Sequence, residues 1–133
     1  MDIRQLIELA IQARDESSYT PYSHFKVGAA VEMEDGSIYT GGNIENAAFT
    51  PTNCAERTAI FKGVSEGKRK IRRIAVIADG KDTYPCGVCR QVIREFGDNP
   101  QIIVANSIDD YKILTLEELL PHSFGPKNLE DIK

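Results

Sequence analysis

Cysteine and histidine are scarce in this 133-residue chain, three of one and two of the other. An odd number of cysteines excludes a fully paired disulfide framework within one chain. Long apolar runs are missing as well. The longest, Val27–Val31 and Ile74–Ala78, have five residues each, against the roughly 20 that a membrane-spanning helix requires. The N-terminus interrupts its apolar positions with Asp2, Arg4, Glu8 and Arg14, which is not the pattern of a secretory signal. A cytoplasmic protein without membrane contact is expected. Positive charge is not in excess either: 16 basic against 20 acidic side chains leave a net charge of −4. Binding a polyanion depends on Lys and Arg neutralising phosphates, so no nucleic-acid partner is expected. The cluster Lys68, Arg69, Lys70, Arg72 and Arg73 is the exception, and it reads as a solvated patch complementing the negative end of a preceding helix. Repeats, low-complexity tracts and Pro- or Gly-rich linkers are absent too, so residues 1–133 read as a single domain. With 41% apolar and 27% charged residues, that domain can build an ordinary globular core.

The periodicities present describe an α/β arrangement. Ile3, Leu6, Ile7, Ala10 and Ile11 fall at helical spacing over residues 2–17, with Asp2 as the cap. Phe25–Met33 and Ser37–Gly41 flank Glu34-Asp35-Gly36, and Asp-Gly between two strand-like runs predicts an antiparallel hairpin. A helix is expected from about Asn53 to Glu66, then a strand over Arg73–Asp79. A second helix follows the turn at Gly80–Pro85, its buried face marked by Cys89, Val92, Ile93 and Phe96 and its end by Gly97. Gln101–Ala105 and Tyr111–Leu114 read as further strands. Thr115 and Glu118 form a capping box for a short helix stopped by Pro121. Helices then cover the faces of a sheet.

The chemistry rests on the cysteines. Cys86 and Cys89 stand in Pro85-Cys86-Gly87-Val88-Cys89 at a predicted helix start, where residues three apart share a face. Cys54 opens the preceding helix, and helix N-termini favour thiolates. Three sulfurs converging from two helix starts suit a tetrahedral zinc with its fourth position open, as in catalytic rather than structural sites. Cys-x-x-Cys alone also fits a redox pair, and a fourth ligand from His24 or His122 would close the site. Glu56, two residues after Cys54, is placed to exchange a proton with water activated by the metal. It also fits a capping box reaching back to Asn53.

Cys54-Ala55-Glu56 followed by Pro85-Cys86-x-x-Cys89 resembles the zinc-dependent nucleoside and nucleobase deaminases. The segments Tyr22–Ala30, Asn43–Ala47, Asn53–Ala59, Pro85–Gln91 and Leu119–Pro121 with Phe124, in that order, resemble the small homotetrameric type of cytidine deaminase. That resemblance spans about residues 3–124. It implies a three-layer α-β-α sandwich around a mixed five-stranded sheet, one Zn²⁺ per subunit, and a homotetramer with active sites at subunit interfaces. The implied reaction is hydrolysis of cytidine and 2′-deoxycytidine to uridine and 2′-deoxyuridine, with release of ammonia, in pyrimidine salvage. Carried over by position, Cys54, Cys86 and Cys89 match the metal ligands and Glu56 the catalytic proton shuttle. Asn43 and Glu45 match the pair holding the sugar 3′-hydroxyl, and Phe25 an aromatic on the pyrimidine. Ala55 matches a backbone N–H on the base carbonyl, and Phe124 an aromatic supplied by a neighbouring subunit. Arg57 matches an arginine that donates to ligand sulfurs, drawing charge from a centre that three thiolates make net negative. Two positions depart from the pattern: Phe49 stands where the family often has tyrosine, and Tyr84 where a small residue is common.

Overall fold

Three of the chain's strands are apolar on both faces, and each face finds its own helical cover. A computed structural model describes residues 1–132. One mixed sheet has the strand order β2-β1-β3-β4-β5. The strands are β1 (Val27–Met33), β2 (Ile38–Gly42), β3 (Ile71–Ala78), β4 (Gln101–Ala105) and β5 (Tyr111–Thr115). β1 runs antiparallel to β2 and to β3, β3 parallel to β4, and β4 antiparallel to β5. A parallel pair cannot be joined by a tight hairpin, and helix α3 (Gly87–Phe96) makes the crossover. Helices α1 (Ile3–Ser17), α2 (Ala55–Ser65) and the short α4 (Leu116–Leu119) complete the set, with a 3-10 helix over Pro126–Ile132.

Successive strand residues point to opposite faces, and the two cores divide accordingly. Ala30, Ala75, Ile77, Ile103 and Ala105 pack against Leu6, Ile7 and Ala10 of α1. Ala29, Val31, Ile74, Val76, Ile102 and Val104 pack against Ala55, Ala59 and Ile60 of α2 and Ile93 of α3. The three-layer sandwich with a mixed five-stranded sheet is therefore observed. Two glycines let the helices approach closely. A Cβ on Gly28 would stand 2.0 Å from the Ala10 carbonyl oxygen, and one on Gly41 would stand 2.7 Å from Ala59 N. These contacts set α1 and the first turns of α2 directly on the sheet, which positions the start of α2.

Local signals hold in most places. Asp2 and Gln5 form a reciprocal capping box, as do Thr115 and Glu118, and Gly36 turns the β1–β2 hairpin at φ +88°. The differences have physical causes. Gly97 ends α3 in extended rather than left-handed backbone, with φ −136°; a Cβ there would meet Pro100 at 2.8 Å, so close approach is what requires glycine. The basic cluster follows the end of α2 and is solvated at Arg69, Lys70 and Arg72, but its members other than Arg69 are tied to acidic partners and two of them lie in β3. α2 stops at Ser65, and Arg72 and Arg73 lie in β3. Lys68 pairs with Asp35, Lys70 with Asp98, and Arg73 with the buried Glu32. Arg69 follows the expectation in full, donating to the Val64 carbonyl near the end of α2. No described helix is long and apolar enough to cross a membrane.

Candidate metal and active site

Two helix starts face each other at one end of the sheet. Cys54 is the N-cap of α2 and Cys86 the N-cap of α3, and neither side chain caps its helix, so both sulfurs are left for other partners. Cys89, one turn into α3, is fully buried. The segment entering α2 is held by reciprocal backbone bonds between Ile44 and Asn53, both at 2.9 Å. Arg90 steadies the segment entering α3: its Nε donates to the Pro85 carbonyl at 2.7 Å and its Nη1 to the Leu119 carbonyl at 2.7 Å. That brace was not foreseen from sequence, because it depends on α4 returning beside α3.

The three sulfurs lie within 4.8 Å of one another. Two thiolates on a tetrahedral zinc, each at about 2.3 Å, are about 3.8 Å apart, and Cys54 Sγ and Cys86 Sγ are separated by 3.8 Å. The cluster thus fits one zinc ion. Among the described residues neither histidine joins it, and His122 lines a separate cavity with Lys70 and Arg94. The possible imidazole closure is therefore not seen. Arg57 Nη2 donates to Cys54 Sγ at 3.3 Å, as the resemblance implied for that position. Hydrogen bonds from Cys89 first, then from Arg57 and Cys86, hold the Cys54 thiol well below its ordinary range.

Glu56, in the first turn of α2, is only 4% exposed, and burial pushes its carboxyl up to about 7. It stands outside the sulfur group, which leaves the carboxylate free of metal-ligand duty. The capping-box alternative is not what the backbone shows. Cys54, not Asn53, is the N-cap, and the Asn53 amide donates instead to Thr58 Oγ1 at 3.1 Å.

Asn43, Cys54, Ala55, Glu56 and Cys86 line a single pocket of about 200 Å³, together with Thr83 and Tyr84. Asn43 is fixed at both ends of its amide: Oδ1 accepts from Val27 N–H and Nδ2 donates to the Phe25 carbonyl, each at 2.9 Å. One N–H and one lone pair remain for a ligand. Ala55 N–H is one of the unpaired donors at the start of α2. The other expected residues stand outside this wall. Glu45 lines a neighbouring cavity with Tyr22, Ser23 and Phe49, and Thr52 borders both. Its carboxylate accepts from the Tyr22 and Ser23 amides and from the Ser23 hydroxyl. The hydroxyl bond first, aided by the amides, holds that carboxyl below its ordinary range. Phe25 precedes β1, is 40% exposed and packs beside Gly80, so it is not a core strand residue. Phe124 is exposed and anchored through its carbonyl to Gln91 of α3 at 2.8 Å, and it does not line its own chain's pocket.

Residues 1–105 match the cytidine and deoxycytidylate deaminase zinc-binding region. Cytidine deaminase of Halalkalibacterium halodurans is 50% identical over 133 residues, covering 98% of this chain and 100% of that one. Its counterpart from Sporosarcina psychrophila is 49% identical over 132 residues, with 97% and 96% covered. The crystal structure of cytidine deaminase from Burkholderia pseudomallei matches with a TM-score of 0.87 at 40% identity, over 93% of this chain and 100% of that one. That of Mycobacterium tuberculosis matches with a TM-score of 0.80 at 35% identity, over 94% and 98%. Likeness of that extent, in sequence and fold alike, makes this chain a member of the cytidine deaminase family, a hydrolytic deaminase that binds zinc.

Proposed function

We propose that this chain hydrolyses cytidine and 2′-deoxycytidine at C4, giving uridine and 2′-deoxyuridine with release of ammonia, as a cytoplasmic enzyme of pyrimidine salvage. The observation that carries this reading is the buried Glu56 beside three clustered sulfurs, in a pocket that also holds Asn43. Cys54, Cys86 and Cys89 hold the zinc, and a zinc ion there supplies the Lewis acidity that activates water for attack. Glu56 takes a proton from the attacking water and delivers it to ring nitrogen N3, which makes C4 electrophilic. The same carboxylate then takes the proton of the new C4 hydroxyl and passes it to the exocyclic amine, so that the C4–N bond breaks, ammonia leaves and the C4 carbonyl forms. Ala55 N–H donates to the base carbonyl, and Asn43 and Glu45 bracket the sugar 3′-hydroxyl. Phe25 packs on the pyrimidine. Arg57 withdraws charge from the thiolates through its bond to Cys54.

Residues 1–133 act as one catalytic domain, and four copies assemble with Phe124 of one subunit reaching a neighbour's pocket. In support of that assembly, the exposed rings of Tyr22 and Phe49 lie edge to face at 6.2 Å, and Phe124 is 59% exposed, apolar surface of the kind an interface covers. The test of function is an ultraviolet and ammonia assay comparing free cytidine with a cytosine-containing single strand. Turnover of cytidine alone is expected. Preference for the strand would overturn the nucleoside reading, since a 3′-oxygen held by Asn43 and Glu45 cannot continue into a chain.

A further inference from the structure

Asp82 has φ +50°, a left-handed conformation that a residue with a Cβ disfavours. Its two successors, Thr83 and Tyr84, line the pocket immediately before Pro85 and Cys86. The segment Gly80–Pro85 belongs to no helix or strand, so side-chain bonds set its shape, from within through Thr83 Oγ1 to the Gly80 carbonyl at 3.2 Å and also from outside. Asn106, the residue following β4, does this with both ends of its side chain. Asp82 N–H donates to Asn106 Oδ1 at 2.8 Å, and Asn106 Nδ2 donates to Asp82 Oδ1 at 2.9 Å, closing a two-bond ring. Asn106 is itself anchored, its own N–H donating to the Asp110 carbonyl at 2.8 Å. Lys112 of β5 adds to the hold, with Nζ 3.6 Å from Asp82 Oδ2 and 3.3 Å from the Tyr84 hydroxyl. The Asn106 bond first, then attraction from Lys112, keeps the Asp82 carboxyl below its ordinary range.

The β4–β5 pair does not need this ring, because its register runs unbroken from Gln101↔Thr115 to Ala105↔Tyr111. The pocket wall lies in no regular element: Lys112 holds the Tyr84 hydroxyl, Arg90 the Pro85 carbonyl and Thr83 Oγ1 the Gly80 carbonyl, while the ring holds the backbone of Asp82. We propose that Asn106 is a positioning residue for the nucleoside pocket: its carboxamide locks Asp82 in the left-handed conformation and so sets the Thr83–Tyr84 wall beside Cys86. The inference rests on the reading that this pocket receives cytidine.

The test joins kinetics to amide exchange. In Asn106→Ala, KM for cytidine is expected to rise about tenfold while kcat changes less than about threefold. Zinc per chain should stay as in the unsubstituted protein. The Asp82 amide should lose its exchange protection, while the β4 and β5 amides keep theirs. Asn106→Asp has the same size and still accepts from Asp82 N–H, but it cannot donate to the Asp82 carboxylate; it too should raise KM, and it decides the matter if the alanine variant does not fold. Unchanged KM in a folded variant overturns the proposal, whatever the exchange shows. So does a loss of zinc and of β4–β5 protection in step with kcat, which would mark a purely structural role. A parent protein that does not deaminate cytidine refutes the function instead, and the Asp82 amide still reports on the ring.

Discussion

Glu56 and Arg57 are adjacent in sequence yet do different work, because the first turn of α2 sends one to the pocket and the other to a ligand sulfur. Replacing Glu56 with Gln keeps the side chain's size and removes its ability to carry the proton. General acid–base transfer contributes about 10²–10⁴-fold, so Glu56→Gln should lose that much kcat while retaining zinc by metal analysis. Near-native turnover would remove Glu56 from the reaction. Arg57→Ala deprives Cys54 of a donor and leaves the nucleoside contacts in place. It should lower kcat with little change in KM, and the opposite split would reject the charge-withdrawing role. The ligands and Glu56 were legible because metal chemistry demands a few residue types at tight spacing. Asn106, Arg90 and Thr83 were not, because each owes its role to a segment distant in sequence that the fold brings alongside.

At the scale of elements, the helices act by delivering their first turns to one end of the sheet. α1 can lie on β1 only because Gly28 has no side chain, its Cβ position falling 2.0 Å from the Ala10 carbonyl oxygen. Gly28→Ala must push backbone against backbone, and overpacking of this kind typically costs about 1–3 kcal/mol. Urea unfolding should show a lower midpoint with an unchanged slope; an unaltered midpoint would mean that α1 moves aside freely. Strands β1, β3 and β4 were readable from their apolar runs, and the hairpin from Asp35-Gly36. Boundaries drifted by a residue or two, as at Val27 and Ile71, where hydrogen-bonding partners rather than composition decide the ends. Within the basic cluster Arg73 was misread as solvated, because its buried partner Glu32 lies on a different strand 41 residues earlier.

For the whole molecule, a zinc held by Cys54, Cys86 and Cys89 would join the starts of α2 and α3 and so tie stability to activity. A ligand that binds only the folded state raises its stability, and chelation should lower the thermal midpoint as well as turnover. Assembly makes a separate demand. Phe124 is exposed and does not line its own chain's pocket; if a neighbour's pocket receives it, sedimentation of the active species should find a tetramer, and a fully active monomer would refute the shared site. The most direct measurement takes zinc content and cytidine turnover on one sample, before chelation, after it, and after zinc is restored. One zinc per chain, with turnover lost and regained in proportion to it, is the expected result; a metal-free chain that deaminates cytidine undiminished would contradict the account.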